Sequence, residues 1–285
     1  MPSSPATTHL LIIDPQNDFC DLPLDWCASG IAGSGSNGAL ITPSLPVAGS
    51  HAGLLRLADL VRRAGDGLDA ITVTLDTHHQ LHIAHPAFWQ GKSIGQAVAP
   101  FTEITAADVR QGIFAPRNLA LLPQVLAYLD ALELRNRYRL MVWPVHCEIG
   151  SWGHNIHSAV RSAYNAWETK TQQTVQKVSK GSNLMTEHYS ALQAEVPDAN
   201  DPATGLNIAL LASLASAARV VVAGEASSHC VRATVEDLAE HIAPTKIVLL
   251  ADCMHPVAGF EAQHHAFLEG MARRGAVISS SAEFA

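Results

Sequence analysis

Five cysteines stand in this chain, at positions 20, 27, 147, 230 and 253, and Cys230 is the one placed for chemistry. It follows the apolar run Ala218 to Ala223, a glycine at 224 and the small polar residues Glu225-Ala-Ser-Ser-His229. After it, Val231, Thr234, Val235 and Leu238 recur at helical spacing. A thiol at such a strand-to-helix turn lies near backbone N–H groups whose partial positive charge favours a thiolate. The local pattern alone fits a small buried side chain equally well, so the other strand ends decide. Asp14 closes the run His9 to Asp14, and Lys180 closes Thr174 to Val178 just before Gly181. A carboxylate takes a thiol proton and returns it to a leaving amine, and an ammonium lowers a thiol pKa. Asp14, Lys180 and Cys230 together therefore form a candidate nucleophilic set.

A second constellation is Asp76-Thr-His78-His-Gln-Leu-His82-Ile-Ala-His85, with Trp143-Pro-Val-His146-Cys147 further on. Asp76 and His78 occupy alternate positions of an extended segment, so both can face one ion, and His146 can supply a third ligand. Mixed nitrogen and oxygen donors suit zinc, manganese or iron and leave positions open for substrate. His79, His85, His154, His157, His264 and His265 are expected on the surface or behind the ligands.

These residues need a scaffold that gathers strand ends. Short apolar runs read as strands at His9–Asp14, Ala70–Leu75, Arg139–Val142, Thr174–Val178, Ala218–Ala223, Lys246–Ala251 and Ala276–Ser279. Helical spacing predicts helices from about Leu54, Leu119–Leu134, His157–Trp167, Ile208–Ala218, after Cys230 and Phe260–Arg273. Alternation of the two predicts an α/β fold, a doubly wound, mainly parallel sheet with helices on both faces, whose ligands bind beyond the carboxyl ends of the strands. The chain is read as one domain over residues 1–285, with insertions at about 20–50 and 86–117 near the site.

Composition narrows the function. The net charge of −8 and only five lysines argue against a nucleic-acid partner. No apolar run is long enough for a membrane span, and the N-terminus lacks the basic start and apolar core of a signal peptide. Scattered cysteines with no CxxC spacing point to free thiols in a reducing cytoplasm. No glycine-rich phosphate loop is present, so a nucleotide cofactor is not expected.

The ordered motifs resemble the isochorismatase-like cysteine hydrolase superfamily, and within it the nicotinamidases. Asp14-Pro-Gln-Asn-Asp-Phe19 matches D-x-Q-N-D-F, Asp76-Thr-His78 with His82 resembles D-W-H-P-x-x-H, and Trp143-Pro-Val-His146-Cys matches W-P-x-H-C. Lys180-Gly181 with Tyr189-Ser-Ala resembles K-G…Y-S-A, and Gly224-Glu-Ala-Ser-Ser-His-Cys230-Val resembles G-x-A-T-D-x-C-V. The resemblance implies the isochorismatase-like hydrolase fold, Asp14, Lys180 and Cys230 as catalytic triad, and Asp76, His78 and His146 as ligands of one divalent metal ion, zinc foremost. His82 matches a position sometimes associated with the metal. The resemblance also implies a cis peptide at Glu225–Ala226, an oxyanion hole from the N–H groups of Ala226 and Cys230, and Phe19 and Trp143 flanking an aromatic substrate. Thr77 and His79 in place of Trp and Pro, and Ser227-Ser228 in place of Thr-Asp, depart from the pattern and bear on substrate identity.

The expected function is hydrolysis of nicotinamide to nicotinate and ammonia through a cysteine thioester, a step of pyridine-nucleotide salvage, with a small-molecule amide as partner and a homo-oligomer left open. The rivals are a related amidase acting on an aliphatic amide, carbamoyl or ureido compound, and a non-catalytic member that only binds.

Overall fold

The computed structural model describes residues 7–30, 39–93 and 95–284. The first residues of the N-terminal reading and part of the 20–50 segment, residues 31–38, lie outside the described residues.

The first element among the described residues is β1 (Thr8–Ile13), every residue of which is buried. The strands β2 (Ala28–Ser29) and β3 (Leu40–Ile41) then pair antiparallel. Helix α1 (Ser50–Ala64) buries Leu54, Leu57, Ala58 and Val61, the three-and-four spacing of one helix face. It leads to β4 (Ala70–Asp76). The 86–117 segment holds β5 (Trp89–Gly91), β6 (Thr102–Ile104), α2 (Ala106–Arg110) and β7 (Phe114–Pro116). Next come α3 (Leu122–Arg135), β8 (Leu140–Val142), α4 (Ser158–Thr171) and β9 (Gln176–Lys180). The chain continues through α5 (Ile208–Ser216), β10 (Arg219–Gly224), α6 (Cys230–Leu238), β11 (Ile247–Leu250), α7 (Glu261–Arg273) and β12 (Val277–Ser279).

Six of these strands form one parallel sheet in the order β12-β11-β10-β1-β4-β9. Successive residues of a strand face opposite sides, so β1 feeds two cores. Leu10 and Ile12 pack in a core with Leu54, Leu57 and Val61 of α1 and Val160, Tyr164 and Trp167 of α4. Leu11 and Ile13 pack in the other, with Leu210 and Leu214 of α5, Val231 and Val235 of α6 and Phe267 of α7. Strand order runs outward in both directions from the β1–β10 pair, which makes that pair the switch point where a crevice opens.

One expected strand takes a different place. Leu140–Val142 does not join the parallel sheet; it pairs antiparallel with β6, Thr102 opposite Val142 and Ile104 opposite Leu140. The partner comes from the 86–117 segment, whose β6 occupies the edge that a three-residue strand needs, while β4 pairs with β9.

Candidate active site and metal centre

The sheet register brings the chemistry together. Ile13 pairs with Gly224 and Asp76 pairs with Lys180, so four adjacent strands end at one level. Asp14 leaves β1 with φ of 41°. Its N–H donates to Thr74 Oγ1 at 3.0 Å, and that hydroxyl donates to Asp14 Oδ1 at 2.5 Å. Gly224 has no room for a side chain, because a Cβ there would lie 2.0 Å from the Ile13 carbonyl oxygen. That close approach lets β10 turn over β1 and present Cys230 as the first residue of α6.

Lys180 is the hub. Its Nζ lies 2.8 Å from Asp14 Oδ2 and 3.1 Å from Asp76 Oδ1. It also donates to the His188 carbonyl at 3.1 Å and lies 3.5 Å from Cys230 Sγ. Carboxylate oxygens of Asp14 and Asp76 and the Cys230 sulfur all fall within 4.8 Å of one another. Lys177, three residues upstream, points the other way, its Nζ 3.7 Å from Glu168 and 4.8 Å from the centre of the Tyr164 ring on α4.

Burial governs the resting protonation states. It pushes the Cys230 thiol well above the usual range, against the opposing pull of Lys180. At this sulfur the ammonium and the helix terminus thus act against burial. Burial also raises the Asp14 carboxyl, with Lys180 opposing and Asp76 reinforcing, which makes Asp14 a stronger base for that thiol proton. For Asp76 burial is again the largest influence, yet His78 and Lys180 outweigh it and hold the carboxyl well below its usual range.

Asp76 itself is held by Gln16, a fully buried carboxamide. Gln16 Nε2 donates to the Asp76 carbonyl at 2.8 Å, and its Oε1 accepts from the Asp76 N–H at 2.7 Å. Asp18 does similar work on the neighbouring loops. Its Oδ2 accepts from the Cys147 N–H at 2.7 Å and its Oδ1 from the Ser44 N–H at 3.1 Å, which pulls the returning 20–50 segment onto the site.

The donor set for a metal is read from hydrogen-bond partners. His78 Nδ1 faces the Gly181 carbonyl at 2.9 Å and His146 Nδ1 faces the Pro144 carbonyl at 2.8 Å. A carbonyl accepts only, so both Nδ1 atoms donate there, and the Nε2 atoms are the ones left to face the cluster. Those Nε2 atoms converge on Asp76 Oδ2 at 3.0 and 3.3 Å. His82 differs: its Nε2 faces the Thr186 carbonyl at 3.2 Å and its Nδ1 accepts from the Ala84 N–H at 3.2 Å. Both of its nitrogens are occupied, and it presents no lone pair to an ion.

His85 lies behind the ligands, one of the two places expected for it. It is fully buried, its Nδ1 faces the His79 carbonyl at 3.2 Å, and its Nε2 lies 3.3 Å from His146 Nδ1. His78, His85 and His146 offer ligand atoms all within 4.8 Å of one another, and burial lowers His85 to about 3 and keeps it neutral. Glu187 was missed. It is buried, its Oε2 has no hydrogen-bond partner, and the charges acting on it include those of His78, Asp76 and His146. An orphaned buried carboxylate oxygen in these surroundings fits a site that receives a cation. His157 is buried too, against Trp26 and His51, away from this cluster. His79 and His265 are exposed, and His154 and His264 partly so.

Aromatic side chains line both ends of the cluster. Phe19 meets His146 edge-on with ring centres 5.4 Å apart, at the metal end. Trp143 lies 5.1 Å from the His229 ring, next to Cys230, and its Nε1 donates to Tyr189 Oη at 3.0 Å. From the 86–117 segment, exposed Phe101 reaches Trp143 at 6.0 Å. The Glu225–Ala226 peptide is cis. The N–H groups of His229 and Val231 both donate to the Ala226 carbonyl, at 3.0 and 3.1 Å, on either side of Cys230.

No known family pattern and no curated protein match this sequence. Solved structures do match it. The yeast nicotinamidase Pnc1p superposes with a TM-score of 0.61 at 19% identity, over 96% of this chain and 99% of the other. A nicotinamidase/pyrazinamidase from Acinetobacter baumanii gives 0.62 at 18%, over 99% and 100%. An isochorismatase-like hydrolase from Alkaliphilus metalliredigens gives 0.51 at 16%, over 98% and 97%. The chain has the isochorismatase-like hydrolase fold.

Proposed function

We infer that this protein is a cysteine amidohydrolase that converts nicotinamide to nicotinate and ammonia. The observation that carries this reading is the buried cluster of Asp14, Lys180 and Cys230 at the switch point of the sheet. Its raised carboxyl lets Asp14 accept the Cys230 proton as the sulfur attacks the carboxamide carbon. Lys180 holds Asp14 in line and offsets the negative charge that passes between carboxylate and thiolate. Negative charge developing on the carbonyl oxygen meets the N–H groups of Ala226 and Cys230. Collapse expels ammonia with the proton from Asp14, and water, deprotonated by the same carboxylate, cleaves the thioester.

Asp76, His78 and His146 would hold a divalent ion, with His85 beside His146 and Glu187 a buried carboxylate with one unpartnered oxygen. Bound there, zinc or a similar ion supplies a Lewis-acidic anchor for a ring nitrogen. Among proteins of this fold, a pyrazinamidase of Pyrococcus horikoshii is described in complex with zinc and PnC1 from L. infantum in complex with nicotinate. Phe19 at the metal end and Trp143 at the nucleophile end suit a flat aromatic amide between them. Ammonia release from nicotinamide, pyrazinamide and a panel of aliphatic amides, ureides and carbamoyl compounds tests the reading. Turnover of nicotinamide at least tenfold above every aliphatic member supports it, and the reverse order overturns it.

A further inference from the structure

The turn that carries the nucleophile is tied to one residue outside it. His255 donates its backbone N–H to Glu225 Oε2 at 2.9 Å and sets its ring Nδ1 3.1 Å from Glu225 Oε1. Its carbonyl accepts the Ser227 N–H at 2.8 Å. Residues 225 and 227 are thus both fastened to His255, and Ala226 lies between them. Glu225 is fully buried and both its oxygens are used by this one partner. On the β1 side its own N–H donates to the Ile13 carbonyl at 2.9 Å.

The ring of His255 is wedged as well. A Cβ on Gly49 or Gly53 would come within 2.8 or 2.5 Å of it, so the start of α1 leaves space for the imidazole and little else. Nothing in the proposed chemistry uses Glu225 or His255. A buried acid at this position is also an expensive choice unless its partner is positional, because an apolar side chain would fill the space without desolvating a charge.

We propose that the Glu225–His255 pair is a brace that aims the Ala226 N–H at the developing oxyanion, with both residues acting as positioning residues. The inference rests on the amidohydrolase reading for its substrate but not for its test. A donor held between two anchored neighbours keeps its direction as the carbonyl carbon becomes tetrahedral, and a donor free to tilt does not. Asn places an amide N–H close to where the His Nδ1 lies, so His255→Asn keeps the side-chain contact while His255→Ala removes it, and both keep the backbone bonds.

The experiment compares wild type, His255→Ala, His255→Asn and Glu225→Gln, each purified with its metal. Nicotinaldehyde serves as the probe of oxyanion binding: the Cys230 sulfur bonds to the aldehyde carbon, the carbonyl π pair moves to oxygen, the thiol proton passes to Asp14, and nothing leaves. Nicotinate serves as a planar ligand without a new oxyanion, and iodoacetamide reports Cys230 reactivity through a displacement that needs no oxyanion donor. For His255→Ala the expected result is a loss of about 10- to 100-fold in kcat and in nicotinaldehyde affinity, below the effect of deleting an oxyanion donor outright. KM, nicotinate affinity and alkylation rate stay within about threefold, and His255→Asn recovers most of the loss. Glu225→Gln follows His255→Ala in direction. Unchanged nicotinaldehyde affinity in His255→Ala overturns the brace. So does a parallel fall in alkylation and nicotinate affinity, which marks a general collapse of the turn, and so does failure of His255→Asn to recover. If wild type releases no ammonia from nicotinamide, the functional reading falls, while aldehyde affinity and alkylation still decide the brace.

Discussion

Replacing Lys180 by methionine removes one charge from the centre of the site while nearly preserving its volume. In the native protein the ammonium, 1% exposed, touches Asp14 and Asp76, themselves buried, at 2.8 and 3.1 Å. Breaking a buried pair by deleting one partner costs about 3–5 kcal/mol, because the other charge stays desolvated. Here two carboxylates are left, so the upper end of that range applies, less what Asp14 recovers by taking a proton. Without the ammonium its carboxyl rises further, and the folded variant holds a proton that the unfolded chain releases. Folded Lys180→Met therefore loses ground as pH rises, and its deficit against wild type is smaller at pH 5 than at pH 8, by about 1 kcal/mol or more. The assay is denaturant unfolding of wild type, Lys180→Met and Lys177→Met at both pH values, with Cys230 alkylation measured alongside. Lys177 has a partly exposed ion pair at 3.7 Å, a hydrogen bond to the Val175 carbonyl and a contact with the Tyr164 ring, and its loss costs about 1 kcal/mol or less. Alkylation slows in Lys180→Met only. Equal deficits for the two lysines, or a Lys180→Met deficit independent of pH, would refute the assignment of Lys180 as the buried hub.

Other perturbations give separate readouts. Gln16→Leu removes both contacts to the Asp76 backbone and leaves a buried N–H and carbonyl unpaired, at about 1–3 kcal/mol each; elemental analysis finds less bound metal, and full metal content contradicts this. His85→Ala lowers metal affinity more than His82→Ala does, because His85 Nε2 meets the His146 ring at 3.3 Å whereas both His82 nitrogens face backbone groups; competition with a chelator measures the order. The Glu225 carboxyl is pushed up to about 7 by burial, with His255 opposing and Asp21 reinforcing. The folded state keeps a proton that the unfolded state loses above its ordinary 4.5, so this residue lowers stability as pH rises through that window, by about 3 kcal/mol in all. Glu225→Gln flattens the wild-type slope between those pH values, and an identical slope argues against it.

Asp14, Lys180 and Cys230 were legible in the sequence because each closes or follows an apolar run, and a parallel sheet aligns strand ends by register alone. Asp76 and His78 followed from the same rule. The burial of His85 was not legible, because it depends on a loop without periodicity. That loop is closed by the Trp89 indole donating to the Ile83 carbonyl and by the Ile83 N–H donating to the Leu184 carbonyl, about a hundred residues on. Glu187 was hidden for a similar reason, lying between Lys180 and Tyr189 in a stretch with no helix or strand. The run Leu140–Val142 had the composition of a buried strand, and nothing local distinguished a place in the main sheet from a pairing with Thr102–Ile104. At Cys230 the sequence showed the groups that favour a thiolate but not the desolvation of the buried sulfur, which is the largest influence and opposes Lys180. Among the described residues no helix is long and apolar enough to cross a membrane.

The central claim is that Cys230 carries the acyl group during turnover, and an acid quench in the steady state tests it most directly. Wild type is mixed with excess nicotinamide, stopped within one turnover time, digested and read by mass spectrometry. The account predicts a nicotinoyl thioester on the peptide containing Cys230, absent from Cys230→Ala and from peptides containing Cys20, Cys27, Cys147 or Cys253. Product formation with no acyl adduct on Cys230, even in a variant slowed in thioester hydrolysis, would contradict it.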